Sequence, residues 1–414
     1  MNDKKLIPKL RFSGFTDEWN EVTLNDVATF SKGKGISKND ISNYGIECVR
    51  YGELYTKYNE MIYNIESKTN LDKNELKLSE KDDILIPCSG ETAIDLATAS
   101  CIQKDQVAIG GDITVIKTDQ YAPFITYYLN QKKTEIAKYA QGVSIVHLYP
   151  KDFKVMNIKI PSITEQKKII ALLEEISKKE RLLESKYQEY QDFKKFLMQQ
   201  IFAQKLRFDN FDNEWEFKKL GQVSIVKDGT HDSPKYVLDG YPLITSKNLL
   251  NGEIDFENVN YISKEDYDNI NKRSNVNKGD ILFGMIGTIG NPLIVETDDF
   301  AIKNVALIKE KEELLNQFLI YVLETDFINR QFYRLNAGGT QKFIALGLIK
   351  DLLVPIPSIE EQLKISKFLS TVDISLNSYK NEISNMKKFK NGLLQQMFIY
   401  GYIYSKILKY HNLI

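Results

Sequence analysis

Along two stretches of the chain, apolar residues recur in alternating steps of four and three. The later series is Ile365, Leu369, Val372, Leu376, Tyr379, Ile383, Met386, Lys390, Leu393 and Met397. The earlier one is Ile169, Leu173, Ile176, Glu180, Leu183, Tyr187, Tyr190, Lys194, Leu197 and Ile201, each 196 residues before its counterpart. Most positions are apolar in both series, and one late position is lysine in both. A 3.5-residue period held this long predicts two helices wound on each other. The runs open as PSITEQKKI (Pro161 to Ile169) and PSIEEQLKI (Pro357 to Ile365), a Pro-Ser turn before an acidic first turn. Glu165 and Glu361 then lie near the positive end of each helix dipole. At 1.5 Å per residue, a helix of about 38 residues is about 57 Å long. Two unrelated amphipathic helices, each packed on its own domain, would have to acquire matched heptads at one offset by accident.

The repeat reaches beyond the helices. LRFSGFTDEW (Leu10 to Trp19) matches LRFDNFDNEW (Leu206 to Trp215), again 196 residues apart, and Leu24 matches Leu220. Trp19 and Trp215 are expected to pin these lead-in segments to the cores. Because LRF follows the first long run directly, the N-terminal LRF occupies the place of a segment that would follow the second run in a closed ring. Between the fixed points, shorter alternating runs bounded by turn residues predict strands, at Ile46 to Tyr51, Asp83 to Ile86 and Ile113 to Ile116. A helix is expected from Phe124 to Asn130. Lys278 to Gly284 and Phe318 to Glu324 repeat that plan in the second half. The expected fold class is α+β: two globular domains in tandem pseudo-repeat, separated by two long antiparallel coiled-coil helices. The expected boundaries are 1–158 and 205–354 for the globular domains, 159–204 for the first helix, and 355–414 for the second helix with an apolar, Tyr-rich tail.

Composition narrows the possibilities. A length of 414 residues implies at least two domains, and 43% hydrophobic content supplies their cores. The net charge of −1 leaves any nucleic-acid contact to local patches. From Ser162 to Gln204, 8 basic residues stand against 7 acidic ones, the balance of a solvated coiled-coil exterior. Cys48, Cys88 and Cys101 have no CxxC spacing, and His147, His231 and His411 are scattered, so neither a disulfide framework nor a metal centre is expected. Without an apolar run of membrane length or a signal-peptide core, the chain is expected to be soluble and cytoplasmic.

Glycine-bearing polar loops are the candidates for chemistry. In the second half they contain Lys227, Thr230 and His231 (KDGTHDSP), Ser246, Lys247 and Asn248, Thr288, and Thr340, Gln341 and Lys342. In the first half they contain Lys32 and Lys34, Arg50 and Tyr51, Ser89 and Thr92, and Ser144. Glycine permits close backbone approach, and hydroxyl, amide and cationic donors suit phosphates and base edges. These are the expected DNA-binding residues. Enzymatic patterns are missing: there is no P-loop, no GxGxxG in a βαβ context, and no Asn/Asp-Pro-Pro-aromatic tetrapeptide. Glu66-Ser67-Lys68 has a nuclease-like form that a solvated loop explains better, Glu184-Ser185-Lys186 falls inside a helix, and Ser144 with His147 is too local for a triad.

The tandem helix openings, with DGTHDSP (Asp228 to Pro234) and KGDILFGMIGTIG (Lys278 to Gly290), resemble the specificity subunits of type I restriction–modification systems over nearly the whole chain. The first domain departs from that pattern, having KDDILIPCSGET (Lys81 to Thr92) and no DGTH. The resemblance implies two target-recognition domains, each reading one half of an asymmetric split DNA sequence in the major groove. It implies a non-catalytic chain with no cofactor of its own and no membrane association. Two modification (M) subunits carrying S-adenosylmethionine would methylate adenine in each half-site. Two restriction (R) subunits using ATP and Mg would cut unmethylated DNA. The partner-docking and spacer residues are then expected on the helices, at Glu165, Gln166, Gln199 and Gln200 and again at Glu361, Gln362, Gln395 and Gln396. A helix of about 57 Å corresponds to roughly 17 base pairs, so half-sites a helical turn or more apart are expected. The competing reading is a coiled-coil scaffold that joins protein partners without reading DNA.

Overall fold

In the computed structural model, residues 5–142, 146–250, 252–287, 289–335 and 343–399 are described. Two helices dominate, Ile163–Phe202 of 40 residues and Ile359–Met397 of 39 residues. The chain forms two compact units, one built from residues up to Leu183 with those from Glu382 on, the other from Glu184 to Asn381. The division falls inside both helices, so each unit joins one globular domain to part of each helix.

The helix parts run antiparallel within each unit. In the second unit Tyr190 packs on Tyr379 with ring centroids 5.2 Å apart, while further along Lys194 pairs with Asp373 at 2.8 Å. In the first, Ile169, Ile170 and Leu173 share a core with Leu394, Met397 and Phe398. The repeated lysine has a local explanation. Lys194 Nζ lies over the Tyr321 ring and pairs with Glu324 and Asp373; Lys390 Nζ lies over Tyr127 and pairs with Glu60. Burial works against the Lys194 charge, but the two carboxylates more than restore it, and its pKa is raised. A polar residue in a mostly apolar seam with one correct set of partners fixes register.

The first globular domain has a five-stranded sheet and a four-stranded one, and the second has two four-stranded sheets. In the first, Ala28–Lys32, Ile113–Thr118, Ile84–Pro87, Ser100–Ile102 and Met61–Ile62 lie side by side. In the second, the order Ile225–Asp228, Val305–Lys309, Ile281–Gly284 and Gly290–Ile294 repeats the plan. The other four-stranded sheet of each domain contains a parallel pair, Cys48 opposite Ala108 and Leu243 opposite Ala301. Antiparallel pairs close both domains at the neck, Asn20–Thr23 with Asn157–Ile160 and Glu216–Lys219 with Leu353–Ile356. The strand expected through Tyr51 ends at Val49, and a helix runs from Tyr51 to Thr56. The cause is local: the Glu53 carboxylate accepts from the Arg50 backbone N–H at 2.9 Å and caps that helix.

Trp19 and Trp215 are buried among Phe124 and Phe398, and among Phe202 and Phe318, pinning the lead-in segments. The ring expected from sequence has a direct mark. The Leu206 N–H donates to the Gln200 carbonyl at 3.1 Å, six residues back, and the Leu10 N–H donates to the Gln396 carbonyl at 2.9 Å, far apart in sequence. Among the described residues no helix is long and apolar enough to cross a membrane.

The three thiols are buried, and burial pushes that of Cys48 up to about 11. Those of Cys88 and Cys101 are also raised by burial. Since thiolate is the reactive form, Ellman's reagent at about pH 8 is expected to label none of them within minutes in the native protein and all three after denaturation. Prompt native labelling would contradict this packing.

Candidate nucleic-acid interface

The loops of the first domain converge on a glycine crossing. A Cβ placed on Gly33 would lie 1.9 Å from the Gly110 carbonyl oxygen, so only glycine lets the two backbones pass there. Gly110 in turn packs against Val49 and Arg50, and Gly111 against Lys34 and Gly35. Lys32 and Lys34 project from this crossing, exposed, and Arg50 flanks it. Lys32 Nζ lies 5.5 Å from the centre of the Tyr149 ring, which stacks on His147, and His147 Nδ1 is 3.1 Å from Ser89 Oγ. Arg50 reaches Glu53 only at 3.8 Å, and its buried Nε has no partner. Tyr51 is exposed beside it. Thr92 caps the short helix Ala93–Leu96, accepting from the Asp95 N–H at 3.2 Å while its hydroxyl donates to the Asp95 carboxylate. His147, Tyr149 and Lys151 joined this group only in the fold, and the aromatic-Pro-Lys run at 149–151 was the available signal.

The second domain repeats the crossing 196 residues on. A Cβ on Gly229 would lie 2.2 Å from the Ile302 carbonyl oxygen. Thr230 and His231 follow it, half-buried and exposed, and Lys227 precedes it. The Asp228 carboxylate accepts from His231 Nε2 at 2.7 Å and from Arg273, while His231 Nδ1 lies 2.8 Å from Asn304 Oδ1. Arg273 and Asn304 were not singled out from sequence because they stand 45 and 73 residues from their partners. Lys32, Lys34, Lys227 and Lys247 make no ion pair among the described residues.

Several expected contact residues are instead internal supports. Ser246 is buried, its Oγ donating to the Asn304 carbonyl and accepting from the N–H groups of Met285 and Ile286. Asn248 is also buried, and its amide bonds Thr245, Asp255 and Asn258. These two side chains fix the loop that presents exposed Lys247 between them. Ser89 is buried against His147. Ser144, Thr288, Thr340, Gln341 and Lys342, with the tail after Gly401, lie outside the described residues. Glu66-Ser67-Lys68 forms no site: Ser67 is buried on Glu53, and Glu66 pairs with Lys57. Among the described residues no group of His, Cys, Asp and Glu is placed to hold a metal.

The expected docking residues at the helix starts also turn inward. Glu165 accepts from Arg11 Nε and Nη2, both at 2.8 Å, and Glu361 accepts from Arg207 in the same way. Gln166 joins the Tyr121 N–H, Gln120 and the Pro161 carbonyl; Gln362 joins the Leu315 N–H and the carbonyls of Glu313 and Pro357. All four are buried, so they cannot be the surface a partner touches. They staple the LRF segment and the globular domain to each helix start. Gln199 is exposed and Gln200 half-buried; both line a cleft of about 800 Å³ with Lys195, Lys205, Phe327 and Arg330. Gln395 and Gln396 are exposed.

Comparison with known proteins gives this architecture a family. The pattern described as "Type I restriction modification DNA specificity domain" matches residues 16–190 and 212–386, two copies offset by the same 196 residues. The chain is 23% identical over 401 residues to the type I restriction enzyme MjaVIII specificity subunit of Methanocaldococcus jannaschii, covering 91% of each chain. It is 21% identical over 416 residues to the EcoBI specificity subunit of Escherichia coli, covering 92% of this chain and 85% of that one. In fold it is similar to the S subunit of a type I restriction-modification system from M. genitalium, with a TM-score of 0.66 at 17% identity, covering 96% of this chain and 100% of that one. The chain therefore belongs to the type I restriction–modification DNA specificity family and carries two copies of its domain.

Proposed function

We propose that this chain is the DNA-recognition subunit of a type I restriction–modification complex. Each globular domain reads one half of an asymmetric bipartite target, and the chain directs adenine methylation or cleavage by its partners without performing either. The observation that carries this reading is the duplicated glycine crossing at Gly33 and Gly229, beside which lysines without an ion pair among the described residues stand in both domains, Lys32 and Lys34 in the first and Lys227 in the second, and both domains match the DNA specificity pattern. Unpaired cations on glycine-tight loops suit phosphates, and the side chains beside them suit base edges. The partners are two M subunits bringing S-adenosylmethionine and two R subunits bringing ATP and Mg, assembled in the cytoplasm. Docking falls on the outward helix surface, where Phe193 and Phe389, at matched positions, are 47% and 56% exposed, rather than on the buried helix starts.

The test is expression with the M subunit of the same system in a methylation-free host, followed by sequencing for N6-methyladenine. A new bipartite motif that requires this chain supports the reading. An assembled complex that writes no motif favours the scaffold. Salt dependence supplies a second measure. Each phosphate contact contributes about 0.9 to the slope of log affinity against log salt. Lys34→Ala and Lys247→Ala are each expected to reduce that slope by about 1 and to weaken binding to all sequences nearly alike. Unchanged slopes would place these lysines away from the backbone.

A further inference from the structure

His231 is held in a setting that the corresponding place in the first domain does not provide. The position 196 residues before Asp228 is Lys32, and the one before His231 is Gly35. The Asp228 side chain, 8% exposed, closes the strand Ile225–Asp228 and accepts from His231 Nε2. On the far side of the ring, Nδ1 faces the Asn304 side-chain oxygen. Asn304 is firmly placed: it sits at φ +55°, its N–H donates to the Thr230 carbonyl, and its carbonyl accepts from Ser246. Both ring nitrogens thus meet acceptors, the arrangement of a doubly protonated imidazolium. The charged groups facing the ring are Asp228 from its own segment and Arg273 from the helix Lys264–Ser274. The hydrogen bond to Asp228, then that to Asn304, raises the pKa, against burial and the Arg273 charge.

The charge count at this spot matters. One buried carboxylate answers two cations, leaving a net positive charge at the surface. The imidazole is 50% exposed and Arg273 is 63% exposed, and Lys303 stands nearby on Ser233. The first domain's own His147 bonds Ser89 and stacks on Tyr149, with no carboxylate partner among the described residues. We infer that His231, held as an imidazolium with both N–H groups on Asp228 and Asn304, attracts a DNA phosphate through its charge, so that binding through the second domain requires one proton that no contact of the first domain requires. This rests on the reading of the second domain as a DNA reader.

The sign follows from linkage: the proton is held in the bound state, so affinity is full at low pH and falls as pH rises, by at most about tenfold per unit for one proton. The experiment measures the affinity of the assembled complex with its M subunits for its own bipartite target, at fixed salt, between about pH 6 and pH 8.5. Wild type is expected to weaken with pH. His231→Asn is expected to bind about tenfold more weakly at the low end and to lose the dependence. His231→Arg, a permanent cation, is expected to bind well with a flat profile. A wild-type slope that persists in His231→Asn, or a flat wild-type profile, overturns the inference and leaves His231 as a strap that orders its loop. Absence of sequence-specific binding by wild type at every pH sinks the DNA-recognition reading itself, and this inference with it.

Discussion

Glu361→Ala is expected to destabilise the second unit by about 3–5 kcal/mol, the range for breaking a buried ion pair by removing one partner. The Glu361 side chain is almost wholly buried, and it accepts from Arg207 Nε at 3.1 Å, Arg207 Nη2 at 2.9 Å and Trp215 Nε1 at 2.9 Å. Without it a guanidinium only 18% exposed and a buried indole N–H are both left unpaired. At roughly 2–4 °C per kcal/mol for a unit of this size, Tm falls by about 10 °C. The first repeat provides a comparison. Glu165 holds Arg11 in the same manner, but the buried Trp19 Nε1 has no partner in the native fold. Glu165→Ala is therefore expected to cost less, by the value of one hydrogen bond to a charged group, about 1.5–3 kcal/mol. Thermal and denaturant unfolding of the two variants measure the difference. Equal losses would mean that the Trp215 bond adds nothing.

These staples mark where sequence reasoning succeeded and where it stopped. The 196-residue offset, the heptad seam and the repeated LRF and Pro-Ser openings were legible because they are local patterns, and the fold contains all of them. The link between LRF and the helix openings was not legible. Arg11 and Glu165 stand 154 residues apart, as do Arg207 and Glu361, and no periodicity connects them. An acidic first turn read as dipole chemistry is also a buried anchor. The loops show the same limit at smaller scale. Ser246, Lys247 and Asn248 are equally polar neighbours in sequence, yet two face inward and one outward. Which two depends on whether Asn304 and Asp255 arrive beside them. Glycines marked the loops correctly, but the carbonyl each must pass, Gly110 or Ile302, is set by strand pairing far along the chain.

Exchanging the first globular domain for that of another family member should change one half of the recognised sequence and leave the other half intact. The fold gives the reason. Both ends of the domain lie in one antiparallel pair, Asn20 opposite Ile160, and the second domain closes likewise at Glu216 opposite Ile356. A domain whose ends are neighbours in one ladder is a cassette: what lies between them alters neither the lead-in segment nor the helix start. The replacement must keep the contacts that seat the domain on its helix, chiefly Tyr127 on Glu174 and the Tyr121 N–H on Gln166. Each mismatched base pair costs about 1–3 kcal/mol. A chimera exchanged over residues 20–158 should therefore bind the original target roughly a thousandfold or more weaker than its new one, and the second half-site should persist in the methylated motif. If both halves changed, each domain's specificity would depend on the other. If the motif stayed the same, the bases would be read from outside the exchanged residues, and the glycine crossing of the first domain would not be a reading surface.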